Sequence, residues 1–180
     1  SIIPATHFAG FIDELSRSQN KAPLIDRLLK ENASFPIVEG DNLAHFVYIG
    51  EADEVAITGD HIGRRIDIPM HNVEGTDLYY YSSRLESDAR ITYRFTIDLQ
   101  KNVTDPRNPN EINSLFFGKA SWFGMPKWEQ PAHLSGEVRH KGKMGTVAFV
   151  EAAGDTHQVK VYLPPNYDAD TGSRYPVTYM

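Results

Sequence analysis

Cysteine is missing altogether from the 180 residues. That removes disulfides, a thiolate nucleophile and thiolate-ligated zinc together, and leaves the compartment open. Positive charge is thin as well: 18 Lys and Arg stand against 24 Asp and Glu, for a net charge of −6. The basic groupings Arg64-Arg65 and Arg139-His140-Lys141 are too short to neutralise a phosphate backbone or an anionic bilayer, so neither nucleic acid nor membrane is expected as a partner. No apolar run approaches the roughly 18 residues that a membrane-crossing helix needs.

The usual motifs of catalysis are also lacking. There is no G-x-S-x-G nucleophile elbow; in GKASWFG the glycines Gly118 and Gly124 stand too far from Ser121 for that turn. No G-x-G-x-x-G, phosphate-cradling loop or H-E-x-x-H occurs, so no cofactor is expected. The histidines at 7, 45, 61, 71, 133, 140 and 157 are dispersed. His61 and His71, with Asp60 beside them, are the one pairing that suggests a metal, and ordinary loop histidines are the better reading. No metal is expected. His45 alternates with Leu43 and Val47 and reads as a packed strand residue. The carboxylates sit beside turns, and Asp105 and Asn108 flank prolines where their side chains are expected to cap backbone amides. The sequons at Asn32 and Asn102 carry little outside a eukaryotic secretory setting.

What is present is strongly patterned. Phe8, Phe11, Ile12 and Leu15 fall on one face of a helix, with Thr6 as its N-cap. A second helix is expected from Asn20 to about Asn32, with Pro23 in its first turn and Leu24, Ile25, Leu28 and Leu29 as its stripe. From Phe35 the period becomes two. Four strands are expected, at 43–49, 54–57, 78–85 and 90–97. The last alternates Ile91, Tyr93, Phe95 and Ile97 with Arg90, Thr92, Arg94 and Thr96, one buried face and one wet. Of Tyr79, Tyr80 and Tyr81, at least one ring is expected on a wet face. Short strands at this cadence predict an antiparallel β-sandwich.

Residues 104–134 hold four prolines and no clear period, and read as a long ordered loop. Strands at 146–151 and 157–163 follow as a hairpin across Ala153-Gly154-Asp155, and YPVTYM (175–180) reads as a further strand. The domain plan is helices over 1–33, a sandwich with its proline-rich loop over 34–134, and a second region over 135–180. Trp122, Phe123 and Trp128 are the candidate contact residues, for a sugar ring or a partner domain. The competing reading has the loop fold back so that the tryptophans close one end of the sandwich.

Three stretches carry a family resemblance. AHFVYIGEADEVAITGD (44–60), GTDLYYYSSRLESDARITYRFTID (75–98) and TDPRNP (104–109) resemble the N-terminal immunoglobulin-like (E-set) domain of enterochelin-esterase-type hydrolases. That domain is similar to the carbohydrate-binding modules of starch- and glycogen-active enzymes. VKVYLPPNYDADTGSRYPVTYM (159–180) resembles the entry to the esterase α/β-hydrolase domain of the same family. The resemblance runs from about Ser34 to Met180. It implies a mainly β fold: an E-set antiparallel sandwich preceded by two short helices and followed by an incomplete start of an α/β-hydrolase sheet.

The same resemblance implies a serine-esterase parent whose oxyanion loop, serine, acid and histidine all lie beyond YPVTYM, so no catalytic residue is assigned here. The expected role is an accessory domain that packs on a catalytic domain in cis and shapes its substrate site through SWFGMPKW (121–128). Self-association through exposed strands is a further expectation. The alternative is a carbohydrate-binding module, against which GDHIGRR (59–65) lacks the aromatic that such modules carry in that loop.

Overall fold

In a computed structural model the structure describes residues 6–63, 66–114, 118–135, 140–152, 154–169 and 172–179. The chain divides into two compact units, Ser1–Glu129 and Gln130–Met180. Of the residues singled out above, Arg64, Arg65, Arg139, Ala153 and Met180 lie outside the described ones.

The first unit opens with helix α1 (His7–Arg17), whose stripe Phe8, Phe11, Ile12 and Leu15 is buried. Its start is satisfied twice over. Thr6 Oγ1 accepts the Ala9 N–H at 3.0 Å, and the Glu39 carboxylate accepts those of His7 and Phe8 at 3.0 and 2.6 Å. An anion at this end also meets the positive pole of the helix. Helix α2 (Ala22–Glu31) begins two residues later than its sequence pattern suggests. Lys21 is occupied elsewhere, donating through Nζ to the Leu15 and Ser16 carbonyls at the end of α1.

Ten strands follow: β1 (Ile37–Glu39), β2 (Leu43–Ile49), β3 (Val55–Gly59), β4 (Ile68–Pro69), β5 (His71–Asn72), β6 (Leu78–Arg84), β7 (Arg90–Ile97), β8 (Lys101–Val103), β9 (Glu111–Ser114) and β10 (Gly118–Gly124). One sheet runs β1-β2-β6-β5; the other runs β4-β3-β7-β10-β9, with β8 paired to β7. Every pairing is antiparallel, and β2 and β6 register Phe46 against Tyr81 and Val47 against Tyr80. The architecture is mainly β, an antiparallel sandwich preceded by two short helices, as the strand cadence predicts.

Two hydrophobic cores make this a three-layer body. Ala44, Phe46, Ile57, Tyr79, Tyr93, Phe95 and Phe123 fill the space between the sheets. Phe8, Phe11, Ile12, Leu15 and Leu28 pack with Val47 and Leu78 on the other face of the first sheet. A strand covered on both faces shows no alternation of burial, which is why Leu43 to Val47 are buried without a break. The expectation of a wet tyrosine fails for the same reason. Tyr79 is in the sandwich core, Tyr81 lies 6.2 Å from Phe46, and Tyr80 meets Phe8 edge-on at 5.8 Å beneath α1.

Strand β7 buries its predicted face, but Thr92 and Thr96 on the other side are buried too. Thr96 Oγ1 is 3.0 Å from Asn102 Oδ1 on β8. The stretch 104–134 is not all loop: β9 and β10 lie inside it, and Ser121 registers against Tyr93 and Phe123 against Ile91. The four prolines lie outside those strands, where a missing N–H costs no ladder bond. The small residues Gly118, Ala120 and Gly124 on β10 hide the period.

The second unit holds a short helix α3 (Ala132–Ser135) and the expected hairpin, β11 (Lys143–Val150) against β12 (Thr156–Leu163). Its turn is closed by the Glu151 N–H donating to the Asp155 carbonyl and the Gly154 N–H to that of Glu151, both at 2.9 Å. Gly154 has φ of +92°, a conformation that favours glycine. The sandwich is thus followed by a two-stranded start of a further sheet. Tyr175–Tyr179 is not a strand. Apolar alternation becomes a strand only when a neighbouring strand accepts its backbone bonds, and β11 and β12 pair only with each other among the described residues.

Candidate functional site

The TDPRNP stretch turns out to be a buried clamp. Asp105 is 2 % exposed and accepts the Tyr93 hydroxyl at 2.7 Å and the Arg107 N–H at 2.8 Å. The Asp105 N–H donates to Ser121 Oγ at 2.8 Å. Asn108 Nδ2 reaches both the Tyr93 hydroxyl at 3.1 Å and the Trp122 carbonyl at 3.0 Å, while its Oδ1 accepts the Asn110 N–H. The caps expected of Asp105 and Asn108 are there, and they also tie β7 to β10. Burial raises the Asp105 carboxyl against the opposing pull of the Tyr93 and Arg107 bonds, and pushes the Tyr93 phenol well above its ordinary range. Ser121 is consumed by this clamp and is fully buried.

The clamp fixes where the three predicted contact residues go, and it separates them. Phe123 points between the sheets, 5.7 Å from Phe46 and 5.9 Å from Tyr93, and is a core residue. Trp122 points the other way, onto the outer face of the second sheet. There the Arg90 guanidinium lies 4.3 Å from the centre of its ring, and Trp128 meets it edge-on at 5.5 Å. Both tryptophans are half-buried. Trp128 occupies the place a side chain at 124 would take: a Cβ on Gly124 would fall 2.5 Å from its Cε3. The pair therefore forms a braced ledge, with one face of Trp122 already covered by a cation.

A cleft of about 650 Å³ lies at one end of the sandwich, and neither Trp122 nor Trp128 lines it. Four chain segments build it: the β1–β2 turn, the end of β6 through Ile91 at the start of β7, the turn after β3, and the segment after β10. Backbone bonds lock the walls. The Leu85 N–H donates to the Asn42 carbonyl, Lys127 to Ser87 and Met125 to Ala89, each at 2.8 Å. At the rim Lys127 pairs with Asp41 at 2.6 Å, and Arg84 Nη1 is 3.5 Å from Asn42 Oδ1. Ile91 and Leu85 supply apolar lining. Asp41, Asn42, Arg84 and Lys127 carry no local sequence signal; only Lys127 falls in the predicted contact segment.

His61 also borders the cleft, its ring stacked on Phe46 at 5.0 Å with a 5° tilt, and a Cβ on Gly59 would fall 3.1 Å from its Cε1 and Nδ1. Its nitrogens are covered and find no hydrogen-bond partner among the described residues. Burial lowers its pKa to about 4, against a smaller upward pull from Asp60. His71, exposed on β5, leans on Tyr80 at 5.5 Å, whereas His61 lies beside Tyr81, so the two histidines are on opposite faces of β6. Among the described residues no group of three or more potential metal ligands comes together. His45 is fully buried as expected of a strand residue, bonded to Ser82 at 2.8 Å, stacked on Phe8 at 4.4 Å, and 3.4 Å from Glu39.

No protein-family model matches the sequence, and no curated protein matches it either. The fold does have solved counterparts, enterobactin esterases among them. The ferric enterobactin esterase of Salmonella typhimurium superposes with a TM-score of 0.56 at 15% identity, over 75% of this chain and 45% of that one. The enterobactin esterase of Shigella flexneri, solved in the presence of 2,3-dihydroxy-N-benzoyl-glycine, gives 0.51 at 14% identity, over 75% and 44%. The same enzyme in the presence of enterobactin gives 0.51 at 13% identity. At such identities the likeness is one of fold, and the chain spans less than half the length of the structures it matches.

Proposed function

We propose that this chain is the front portion of an enterochelin-esterase-type serine hydrolase. In this reading the first unit is an immunoglobulin-like (E-set) accessory domain, and the β11–β12 hairpin begins the hydrolase sheet. The observation that carries the reading is the fold likeness to enterobactin esterases across 75% of the chain. The sequence stretches that resemble that family support it independently. On this reading the accessory domain packs on the catalytic domain in cis and shapes its substrate site through the ledge of Trp122 and Trp128, with Phe123 behind as the core residue that holds β10 in place.

A sugar-stacking role for the ledge gains no support, since Arg90 covers one face of Trp122 and Trp128 meets it edge-on. The test uses esters of graded size. The 180-residue chain alone is expected to hydrolyse neither p-nitrophenyl acetate nor a bulky aryl ester. In a longer polypeptide that carries a following hydrolase domain, Trp128→Ala is expected to raise KM for the bulky ester by about tenfold and leave the small one unaffected. Turnover by the 180-residue chain itself, or equal effects on both esters, would sink the reading.

A further inference from the structure

Beneath α1 the first sheet buries a titratable side chain. His45 on β2 is fully buried, and Phe8 lies over its ring at 4.4 Å with a tilt of 24°. Its Nδ1 is 2.8 Å from Ser82 Oγ. Its Nε2 is 3.4 Å from Glu39 Oε1 and makes no hydrogen bond among the described residues. A proton facing a carboxylate is favoured over a lone pair there, so Nε2 carries it and Nδ1 accepts the Ser82 hydroxyl.

The same carboxylate holds the start of α1. Glu39 Oε1 accepts the Phe8 N–H at 2.6 Å and Oε2 that of His7 at 3.0 Å. One oxygen, Oε1, thus stands between the helix and the imidazole. A cleft of about 560 Å³ runs alongside, between α1, the end of α2 and β1, with Glu39, Phe8 and Phe11 in its wall. The Glu39 side chain is 22% exposed, so water reaches the carboxylate while the imidazole stays dry. Helix α2 is tied to α1 by the Lys21 bonds to Leu15 and Ser16 and by the Arg27–Glu14 pair, so the two helices move together.

The polar and charged groups on this face are few. Glu39 comes from β1, Tyr80 and Arg84 from β6 on either side of Ser82, His7 from α1, and His71 from β5 against Tyr80; α2 brings Leu28 to this core. Burial pushes the His45 pKa below 6.5 in spite of the upward pull of Glu39. The packed arrangement therefore disfavours the imidazolium, and Phe8 is the ring that covers it. A proton gained at Nδ1 also turns the Ser82 hydroxyl from donor to acceptor and draws Glu39 Oε1 towards Nε2, away from the Phe8 N–H.

We propose that His45, Glu39 and the first turn of α1 form a proton-operated latch: a proton taken up by His45 releases α1 and α2 from the first sheet and uncovers the apolar face of Val47, Leu78 and Tyr80. Docking of the helices is at full strength above pH 6.5 and weakens as pH falls through the lower value of the folded state. The latch does not depend on the esterase reading, and its test has no enzymatic readout.

Hydrogen exchange is followed on the full 180-residue chain. Protection of α1 amides, relative to those of β7, is expected to fall about fivefold between about pH 7 and about pH 5.5. His61, with a pKa of about 4, is still neutral there. Fluorescence of the dye 1-anilinonaphthalene-8-sulfonate should rise over the same interval as the apolar face opens. His45→Gln, which cannot titrate, is expected to abolish both responses whatever its overall stability. In the parent, the His45 ring signal in NMR is expected to titrate with a midpoint below 6.5, and lower still in Glu39→Gln. A midpoint at or above 6.5, equal loss of protection in β7 and α1, or an acid response that survives His45→Gln would each overturn the proposal.

Discussion

At the residue scale, the sandwich holds side chains whose chemistry is set by burial. His61 shows this with a definite sign. Its folded pKa of about 4 lies below the ordinary 6.5, so the folded chain refuses a proton that the unfolded chain accepts. The contribution of His61 is therefore at its full value above pH 6.5 and declines as pH falls to about 4. The loss amounts to roughly 3 kcal/mol at about 1.4 kcal/mol per pKa unit. His61→Phe keeps the stacking and removes the titration. Unfolding free energies of parent and variant from urea titration are expected to diverge by that amount between pH 7 and pH 4, the variant gaining relative stability in acid. Parallel pH profiles would show that the ring is not buried as a neutral group. Asp105 works in the opposite sense: its raised carboxyl pKa withdraws stability as pH rises through the acidic range.

Gly124 makes a steric case. Its Cβ would sit 2.5 Å from Trp128 Cε3 and 3.1 Å from Trp128 Cβ, so the indole itself must move. Gly124→Ala is expected to cost about 1–3 kcal/mol and to shift tryptophan emission to the red as Trp128 leaves the Trp122 edge. An unchanged spectrum would mean that the ledge is not braced in this way.

At the scale of elements, α1 and α2 convert an ordinary sandwich into three layers. Phe8 is their central contact: it is 1 % exposed, stacked on His45 at 4.4 Å and edge-on to Tyr80 at 5.8 Å. Phe8→Ala is expected to destabilise the first unit by about 3–5 kcal/mol, read by urea unfolding. Hydrogen exchange should then show faster amides first in α1 and α2, while β7, paired on both sides, stays protected. Uniform loss of protection would mean that helices and sandwich form one inseparable cooperative unit. The hairpin β11–β12 is built differently. Val147, Phe149, Val159 and Val161 lie on one face, and Met144, Val150 and Tyr162 lie on the other with Thr146, Gln158 and Lys160, so both faces carry apolar side chains.

At the scale of the whole molecule, the chain is two units that differ in how their apolar side chains are covered. Both cores of the first unit are formed by residues between Phe8 and Met125. A piece ending at Glu129 is therefore expected to fold by itself, with a cooperative thermal transition and dispersed amide signals. A molten spectrum from that piece would refute the division. In the second unit Val147, Phe149, Val150, Val159 and Tyr162 are each more than 40 % exposed.

Much of this was legible in the sequence, and the limits have physical causes. Local periodicity determined both helical stripes, the buried face of β7, the hairpin and the mainly β class, because helix and strand each print their own repeat on apolar residues. The resemblance of TDPRNP and its neighbours to an esterase family also rested on sequence, and the fold likeness to enterobactin esterases agrees with it at the coarse level. Tertiary structure alone decided which faces are wet. Tyr80 lies under α1 because helices cover that sheet, β10 exists because β7 offers it an edge, and β9 because β10 does. Tyr175–Tyr179 is no strand here because no strand among the described residues accepts its backbone bonds. Asp41, Arg84 and Lys127 share a cleft only because the sandwich brings their turns to one end. Covering, pairing and convergence are relations between distant segments, and a single stretch of sequence does not record them.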